Sequence, residues 1–502
     1  MMNWRHPVLT VYDRMVARSP IPDYRRSLSL FHELPRPQRR DLQVTRLGRL
    51  LRHAALHVPW YREELARLGV VRGDVLDLER FTTIPPLTRD ILRERFDSLA
   101  SDDLASRRWY RNCSGGSTGE PVAVLQDRDY EAAGLAAIEM HHGWAGRRPG
   151  EPMVRLWASE RDILLGSQGW RNQVSAFARN QVLLNAFRMS ADAMERHVDQ
   201  IRRRRPVLLE AFAESAYEIA RHLNESGRRL QGVRGVVTSA STLYPFIREE
   251  VEQAFGCPVF NRYGSREVGS FAGERAPGGG LEVFAATHWV EVVGRDGQPC
   301  APGEEGDVLV TCLTNFAMPL IRYRIGDRAT VGEAVAIPTP SVEVLQTVTG
   351  RSHDAFVRPD GTTVPGIFFM YFIGVFYSRN WIRMFQVVQR GYDDVVIRIV
   401  PAAEPPANAL QEIEDTLRRV LGQSCQVRFE FTDTIEKLPS GKHRYFVPFA
   451  APPPPSARPW FAGLDGASVP EALATACGAV QSIAMGPLAD AAAAALAPRA
   501  DA

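Results

Sequence analysis

The chain has no C-x-x-C pair, no long apolar run and almost no net charge. Its six cysteines, Cys113, Cys257, Cys300, Cys312, Cys425 and Cys477, are scattered. That spacing argues against a disulfide framework or a zinc cluster and reads as reduced, mostly structural thiols. No window approaches the roughly 18 unbroken apolar residues of a membrane helix. Charges interrupt the stretch from Met1 to Arg18, so nothing there reads as a signal peptide. A net charge of +2 removes a global basic field for nucleic acid. With 45% hydrophobic and 24% charged residues over 502 positions, the expectation is a large, soluble, cytoplasmic protein of two or three domains. It should have no nucleic-acid or membrane partner.

What is present centres on Asn112-Cys113-Ser114-Gly115-Gly116-Ser117-Thr118-Gly119-Glu120-Pro121, followed by the apolar run Val122-Ala123-Val124-Leu125. Glycines without Cβ let backbone N–H groups converge on an anion, and Ser and Thr hydroxyls add donors. This is the chemistry of a loop around a nucleotide triphosphate. It is not the G-x-x-x-x-G-K-[ST] loop, because no Lys-Ser/Thr pair closes it. Alone, the stretch is equally a Ser/Gly turn between two elements.

Residues 1 to about 110 are helical in pattern. Arg39 to Leu56 carries Leu42, Leu47, Leu50, Leu51 and Leu56, and a second helix runs through Leu68. Thr88 is the expected N-cap of a short helix, and the arginines of this region read as a solvated face. Asp129 to His142 predicts another helix, and Ser190 one running to Arg205. Pro206–Leu209, Val233–Thr238 and Pro258–Arg262 read as strands, with helices at Ala213–Leu223 and Tyr244–Phe255 between them. That alternation points to an α/β layer with a parallel sheet. Residues 281 to 330 change to strand spacing. Composition shifts near 350, and strands at Phe385–Val388, Val395–Val400 and Val427–Phe431 flank a helix at Ala407–Leu421. The expected fold is thus α/β: a large N-terminal domain, 1–349, with mixed and parallel sheets plus helices, and a small C-terminal α+β domain, 350–448, joined by a hinge. A Pro/Ala-rich tail, 449–502, carries no pattern that demands order.

Four further stretches could complete a nucleotide site. Asn261-Arg262-Tyr263-Gly264-Ser265-Arg266-Glu267 follows a strand, where ligand-binding groups of parallel α/β sheets collect. Its ring can stack on a base, its hydroxyl reach a phosphate and its carboxylate hold Mg²⁺. In Ile321-Arg322-Tyr323-Arg324-Ile325-Gly326-Asp327, the Asp after a Gly turn can take both ribose hydroxyls. Gly350-Arg351-Ser352-His353-Asp354 lies at the composition break. In Leu438-Pro439-Ser440-Gly441-Lys442-His443-Arg444, a Lys on a tight turn can place a compact charge on a transferring phosphoryl group.

With these five motifs in this order, residues 40 to 448 resemble the adenylate-forming superfamily of acyl-CoA synthetases, luciferases and adenylation domains. The chain is most similar to the phenylacetate–CoA ligase branch and its capsular-polysaccharide-type relatives. Tyr-Gly-Ser-Arg-Glu, the strand Phe385-Gln386-Val387-Val388-Gln389 and Leu-Pro-Ser-Gly-Lys-His-Arg carry that resemblance. It implies that Ser114, Gly115, Gly116, Ser117, Thr118 and Gly119 close over the ATP phosphates and that Tyr263, on the turn with Gly264, lies along the adenine. It further implies that Ser265 touches the α-phosphate, Glu267 ligates Mg²⁺, Asp327 binds the ribose and Arg351 acts at the hinge. Lys442 would stabilise the charge that builds as a carboxylate displaces pyrophosphate. The implied activity is a ligase that adenylates a carboxylic acid with ATP and passes the acyl group to an acceptor nucleophile in a biosynthetic pathway. Coenzyme A and an amine are the leading acceptors.

The chain departs from the family pattern at three places. Glu120 stands where many relatives carry Lys or another residue. Thr238-Ser239-Ala240-Ser241-Thr242 lacks the acidic residue that relatives place near the adenine. Gly273-Glu274-Arg275-Ala276-Pro277 lacks the Cys of relatives that hold structural zinc, so no zinc is expected and His288 reads as a partly exposed strand residue. The alternative is a catalytically degenerate relative that binds nucleotide and serves a partner-binding role. His141, Trp144, Trp157, Trp170 and Phe177 are candidate acyl-pocket residues, with core packing the competing role. The acid, the acceptor and the oligomeric state are not legible.

Overall fold

The computed structural model describes residues 5–16, 19–72, 75–113, 122–157, 176–186, 191–333, 341–351, 355–359, 363–365, 369, 373, 381–436 and 443–449. The chain divides into two compact units after Arg351. In the first, helix α1 (Arg36–His57) starts on a Pro-containing first turn, and α2 (Pro59–Leu68) ends on left-handed Gly69. Helix α1 buries Gln43, Leu47, Leu50, Leu51 and Ala54. Leu42 and Leu56 were expected on that face but are exposed. At 3.6 residues per turn they fall on the opposite side of the helix. Thr88 caps α3 (Arg89–Glu94) as the sequence predicts, its Oγ1 accepting from Ile91 N at 3.3 Å.

An eleven-stranded sheet forms the body of this unit. A separate hairpin, β1 (Trp109–Cys113) and β2 (Ala123–Asp127), precedes it and leads into helix α4 (Arg128–Trp144). The sheet strands are β3 (Met153–Trp157), β4 (Gln181–Asn185), β5 (Leu208–Phe212), β6 (Gly235–Ser239), β7 (Val259–Ser265), β8 (Gly269–Glu274), β9 (Leu281–Val283), β10 (His288–Val293), β11 (Glu305–Cys312), β12 (Tyr323–Val331) and β13 (Val344–Arg351). Their spatial order is β10-β11-β12-β13-β9-β8-β7-β6-β5-β3-β4. Strands β4, β3, β5, β6 and β7 are parallel, as the alternating pattern predicts. From β7 onward the pairings among the described residues of the sheet are antiparallel.

Three helices, α5 (Ala191–Arg204), α6 (Ala213–Glu225) and α7 (Pro245–Phe255), intervene between the parallel strands. Ser190, the expected cap of α5, lies outside the described residues. One sheet face, with Val154, Leu156, Leu209, Ala211, Val236 and Val259, packs against Val198, Ile201, Ile219, Leu223 and Val251 of these helices. On the other face Met153, Leu208, Val237 and Phe260 meet Ala145 at the end of α4. Two buried faces per strand explain why these strands read as apolar runs rather than as alternations.

The second unit carries a four-stranded sheet of β14 (Ile382–Gly391), β15 (Asp394–Pro401), β16 (Gln426–Phe431) and β17 (Phe446–Val447), in the order β16-β15-β14-β17. Helix α8 (Ala409–Leu421) buries Ile413, Leu417 and Leu421 at four-residue spacing. Among the described residues no helix is long and apolar enough to cross a membrane.

Candidate functional site

The hairpin that flanks the glycine-rich stretch pairs Trp109 with Asp127 and Cys113 with Ala123. Ser114, Gly115, Gly116, Ser117, Thr118 and Gly119 lie outside the described residues; the two strands on either side of them pair with each other. Buried Gln126 accepts from Asn112 Nδ2 at 2.9 Å and donates to the carbonyl oxygens of Arg266, at 2.8 Å, and Glu267, at 3.3 Å. One amide thus ties the base of the glycine loop to the turn after β7. No sequence pattern marks Gln126, because both its partners are local only after folding.

That turn joins β7 to antiparallel β8. A side chain at Gly264 would collide with the backbone of Gly269 and Ser270, so glycine is required for the two strands to approach. Ser265 Oγ accepts from Val268 N at 3.4 Å. The half-buried ring of Tyr263 sits edge-on to Phe271, with centroids 4.6 Å apart, and its hydroxyl donates to Asp327 Oδ2 at 2.8 Å. Asp327 follows left-handed Gly326 and lies directly opposite Arg351 in the register of β12 and β13. Three residues predicted from separate motifs, Tyr263, Asp327 and Arg351, therefore converge.

Glu267 is 2% exposed, and its Oε1 accepts from Arg89 Nη2 at 3.0 Å and from Tyr323 Oη at 3.3 Å. Burial, reinforced by the Glu267 carboxylate, pushes the Tyr323 hydroxyl well above its ordinary range, so it stays a donor. Arg89 arrives because the segment before α3 bridges β12, with Leu87 N on Arg322 O at 3.1 Å and Arg324 N on Leu87 O at 2.9 Å. The sequence placed Arg89 on a solvated helical face; the structure puts it on the most buried carboxylate of the site. Arg89 and Tyr323 were both missed, because a pairing across 178 residues of chain has no local signal.

Lys442 lies outside the described residues. Its neighbours are anchored on β14: His443 Nε2 is 2.8 Å from Phe385 O, and Gln386 Nε2 donates to Arg444 O at 2.8 Å. Gln389, the other glutamine of that strand, clasps Val357 through both amide groups, at 2.7 and 3.1 Å.

Several expectations change. His288 is buried, not partly exposed. Its Nε2 is 2.8 Å from Val268 O, because β10 is covered on both faces. His141 packs over Gly273 with its Nε2 3.1 Å from Glu274 O, and Trp144 lies against Phe284. Both serve the packing of α4. Phe177 is exposed, Trp170 lies outside the described residues, and Trp157 stacks on Phe212 at 4.4 Å. The segment after β6 has no acid of its own, but Ser241 Oγ donates to Glu214 of α6. A carboxylate is thus supplied there from a different stretch.

The buried histidines set an acid limit. Burial lowers His141 to about 3 and His288 to about 4, so each is neutral in the fold yet takes a proton below about 6.5 once unfolded. The unfolded chain then binds more protons. Stability is full above pH 6.5 and falls below it, toward a slope of about 1.4 kcal/mol per pH unit for each group. Thermal melts from pH 7 to pH 4 should show a declining midpoint, and His288→Gln should make the decline shallower. A pH-independent midpoint would contradict this.

The CapK C-terminal domain family matches residues 356–448. Protein CapK of Staphylococcus aureus is 21% identical over 416 residues, covering 81% of this chain and 88% of that protein. The phenylacetate-coenzyme A ligase of Escherichia coli (strain K12) is 26% identical over 336 residues, 63% of this chain and 72% of its own length. Among solved structures, 2-hydroxyisobutyryl-CoA ligase in the postadenylation state, in complex with R3-HIB-AMP, superposes with a TM-score of 0.65 at 19% identity. That match covers 83% of this chain and 91% of the ligase, and it shows a shared fold. The resemblance drawn from the motifs, to the adenylate-forming superfamily and its phenylacetate–CoA ligase-like, capsular-polysaccharide-type branch, is borne out. The class of adenylate-forming ligase stands with it.

Proposed function

We propose that the chain adenylates a carboxylic acid with ATP, releases pyrophosphate and passes the acyl group to coenzyme A or an amine in a biosynthetic pathway. The observation that carries this reading is the convergence around the turn after β7. Tyr263 bonds Asp327, Glu267 gathers Arg89 and Tyr323, and Gln126 holds the glycine-loop hairpin against the same turn. The similarity to phenylacetate–CoA ligases supports the same chemistry. In this assignment Tyr263, with Gly264 allowing the turn, lies along the adenine, Asp327 takes the ribose and Ser265 the α-phosphate. Ser114, Gly115, Gly116, Ser117, Thr118 and Gly119 close over the remaining phosphates. Arg351 acts between a large domain, 1–349, and a small one, 350–448, and Lys442 meets the charge of the transferring group.

Magnesium is bound through one or two carboxylates plus substrate phosphates. Glu267 fits this demand. It is a buried carboxylate whose hydrogen bonds among the described residues, from Arg89 and Tyr323, fall on Oε1. It would hold the ion, which neutralises phosphate charge when bound. Arg89 supplies a second positive charge beside the same phosphates.

Pyrophosphate release from ATP, measured across a panel of carboxylic acids with and without coenzyme A and simple amines, tests the assignment. One acid should drive turnover, and the co-substrate that raises the rate identifies the acceptor. ATP binding with no acid-dependent release would instead favour a nucleotide binder without catalysis.

A further inference from the structure

On the sheet face turned toward α4, the register sets two rows of side chains across the parallel strands. Arg155 of β3 pairs with Glu210 of β5, and Glu210 with Val237 of β6. Two residues further along each strand, Trp157, Phe212 and Ser239 form the second row, and Arg262 of β7 completes it one step beyond the Thr238–Asn261 pair. Val237 and Phe260 extend the first row, and below it the same face is apolar, with Met153 and Leu208. The charges therefore sit toward the carboxyl ends of the strands, immediately before Tyr263. Groups placed there in an open α/β sheet face the ligand crevice.

Because Ser239 is small, Arg262 reaches across it to Glu210 Oε1, with its guanidinium 5.9 Å from the Trp157 ring centroid. Arg155 Nε lies 2.6 Å from Glu210 Oε2 and its guanidinium 5.3 Å from the same indole. Burial opposes ionisation of Glu210, yet Arg155 and Arg262 together hold it well below the usual carboxylate range. His142, 3.8 Å from Glu210, is held neutral by burial. Among the described residues, two guanidiniums and one carboxylate leave one positive charge in excess. Arg262 is 3% exposed, and its Nε has no hydrogen-bond partner among the described residues. An excess buried charge with an unused donor is costly unless something anionic completes it.

We propose that the Arg262–Glu210–Arg155 cluster seats a second carboxylate on the acid this chain activates, making its substrate a dicarboxylic acid. The inference rests on the adenylation reading and adds the substrate class to it. A single excess positive charge matches a monoanionic carboxylate rather than a doubly charged phosphate. Arg155, 29% exposed in its side chain, is the solvent-facing member of the cluster, while Trp157 and Phe212 wall it with apolar surface. Arg262 is thus a specificity-determining residue rather than a packing one.

The test compares butanedioate with butanoate, pentanedioate with pentanoate, and benzene-1,3-dicarboxylate with benzoate in acid-dependent pyrophosphate release. At least one diacid should exceed its monoacid about 10-fold to 100-fold in kcat/KM. Arg262→Met removes the excess charge and leaves Glu210 paired one to one with Arg155. It should keep turnover with monoacids and lose the diacid preference. Where that variant does not fold, Arg155→Met/Glu210→Gln/Arg262→Met, which removes every charge of the cluster, should do the same. Monoacids preferred throughout, or a diacid preference unchanged in the folded variant, overturns the proposal. If no acid supports release, the adenylation reading fails on its own. Thermal shifts with the same acids then decide the subsite: stabilisation by a diacid that vanishes in the folded variant upholds it, and no diacid stabilisation overturns it.

Discussion

Glu267→Gln should slow pyrophosphate release by about 10²- to 10³-fold, the usual cost of removing one preorganised electrostatic group from a water-poor site. It should also cost stability. The carboxylate is 2% exposed, and its loss strands Arg89, which keeps 26% of its side chain in water. That residual hydration puts the penalty at up to about 3 kcal/mol, the lower end for breaking a buried pair. The two effects separate in Arg89→Met/Glu267→Gln, where no unpaired charge remains. The double variant should recover most of the melting temperature and none of the rate. A single variant that keeps its rate, or a double variant that regains it, would remove Glu267 from the reaction and leave it a structural ion pair. Titrating Mg²⁺ in the same assay adds a second readout, because the single variant should need more of the ion to reach its own maximum.

Lys442→Ala should abolish acid-dependent pyrophosphate release, by about 10²-fold or more, while ATP still binds. The reason is electrostatic rather than architectural. His443 and Arg444, the next two residues, are held to β14 through Phe385 O and Gln386, and those bonds do not involve the Lys442 side chain. Tyr263 and Asp327, which would bind the nucleoside, bond to each other and not through Lys442. Lys442→Arg should rescue little, because a compact ammonium and a broad planar guanidinium place their charge differently. ATP affinity by calorimetry and pyrophosphate release should therefore diverge in the Ala variant. Equal loss of both would show that Lys442 serves binding or folding, not the transferring charge.

Much of this was legible before folding. The period of the apolar residues gave α1, α2 and the alternation of strands and helices from β5 to β7, because each such element buries a face its own sequence must supply. Thr88 announced its cap for the same reason: the donor it satisfies is three residues away. The large α/β unit and the small α+β unit followed from the change in spacing and composition. The motifs around Tyr263, Asp327 and Arg351 were visible as turn chemistry; the structure pairs Asp327 with Arg351 on adjacent strands and bonds the Tyr263 hydroxyl to Asp327.

Groups whose partners are distant in sequence were not legible. Leu42 and Leu56 belong to a leucine-rich run, yet only the angular position around α1 decided that they face water. His288 read as a strand histidine, and only the cover over both faces of β10 made it a buried one. Arg89 reaches Glu267 because Leu87 happens to bridge β12, and Gln126 reaches the β7–β8 turn through a hairpin. Glu214 appears beside Ser241 although the chain between them forms a helix and a strand. The sequence alone determined the elements, the fold class and the nucleotide-type motifs, since those follow from near-neighbour sterics and the periodic burial of one face. The tertiary structure alone decided the ion-pair partners and the charge of the cleft. Arg262, Glu210 and Arg155 are ordinary strand residues until parallel pairing sets them side by side, with Arg262 and Glu210 buried and Arg155 partly exposed.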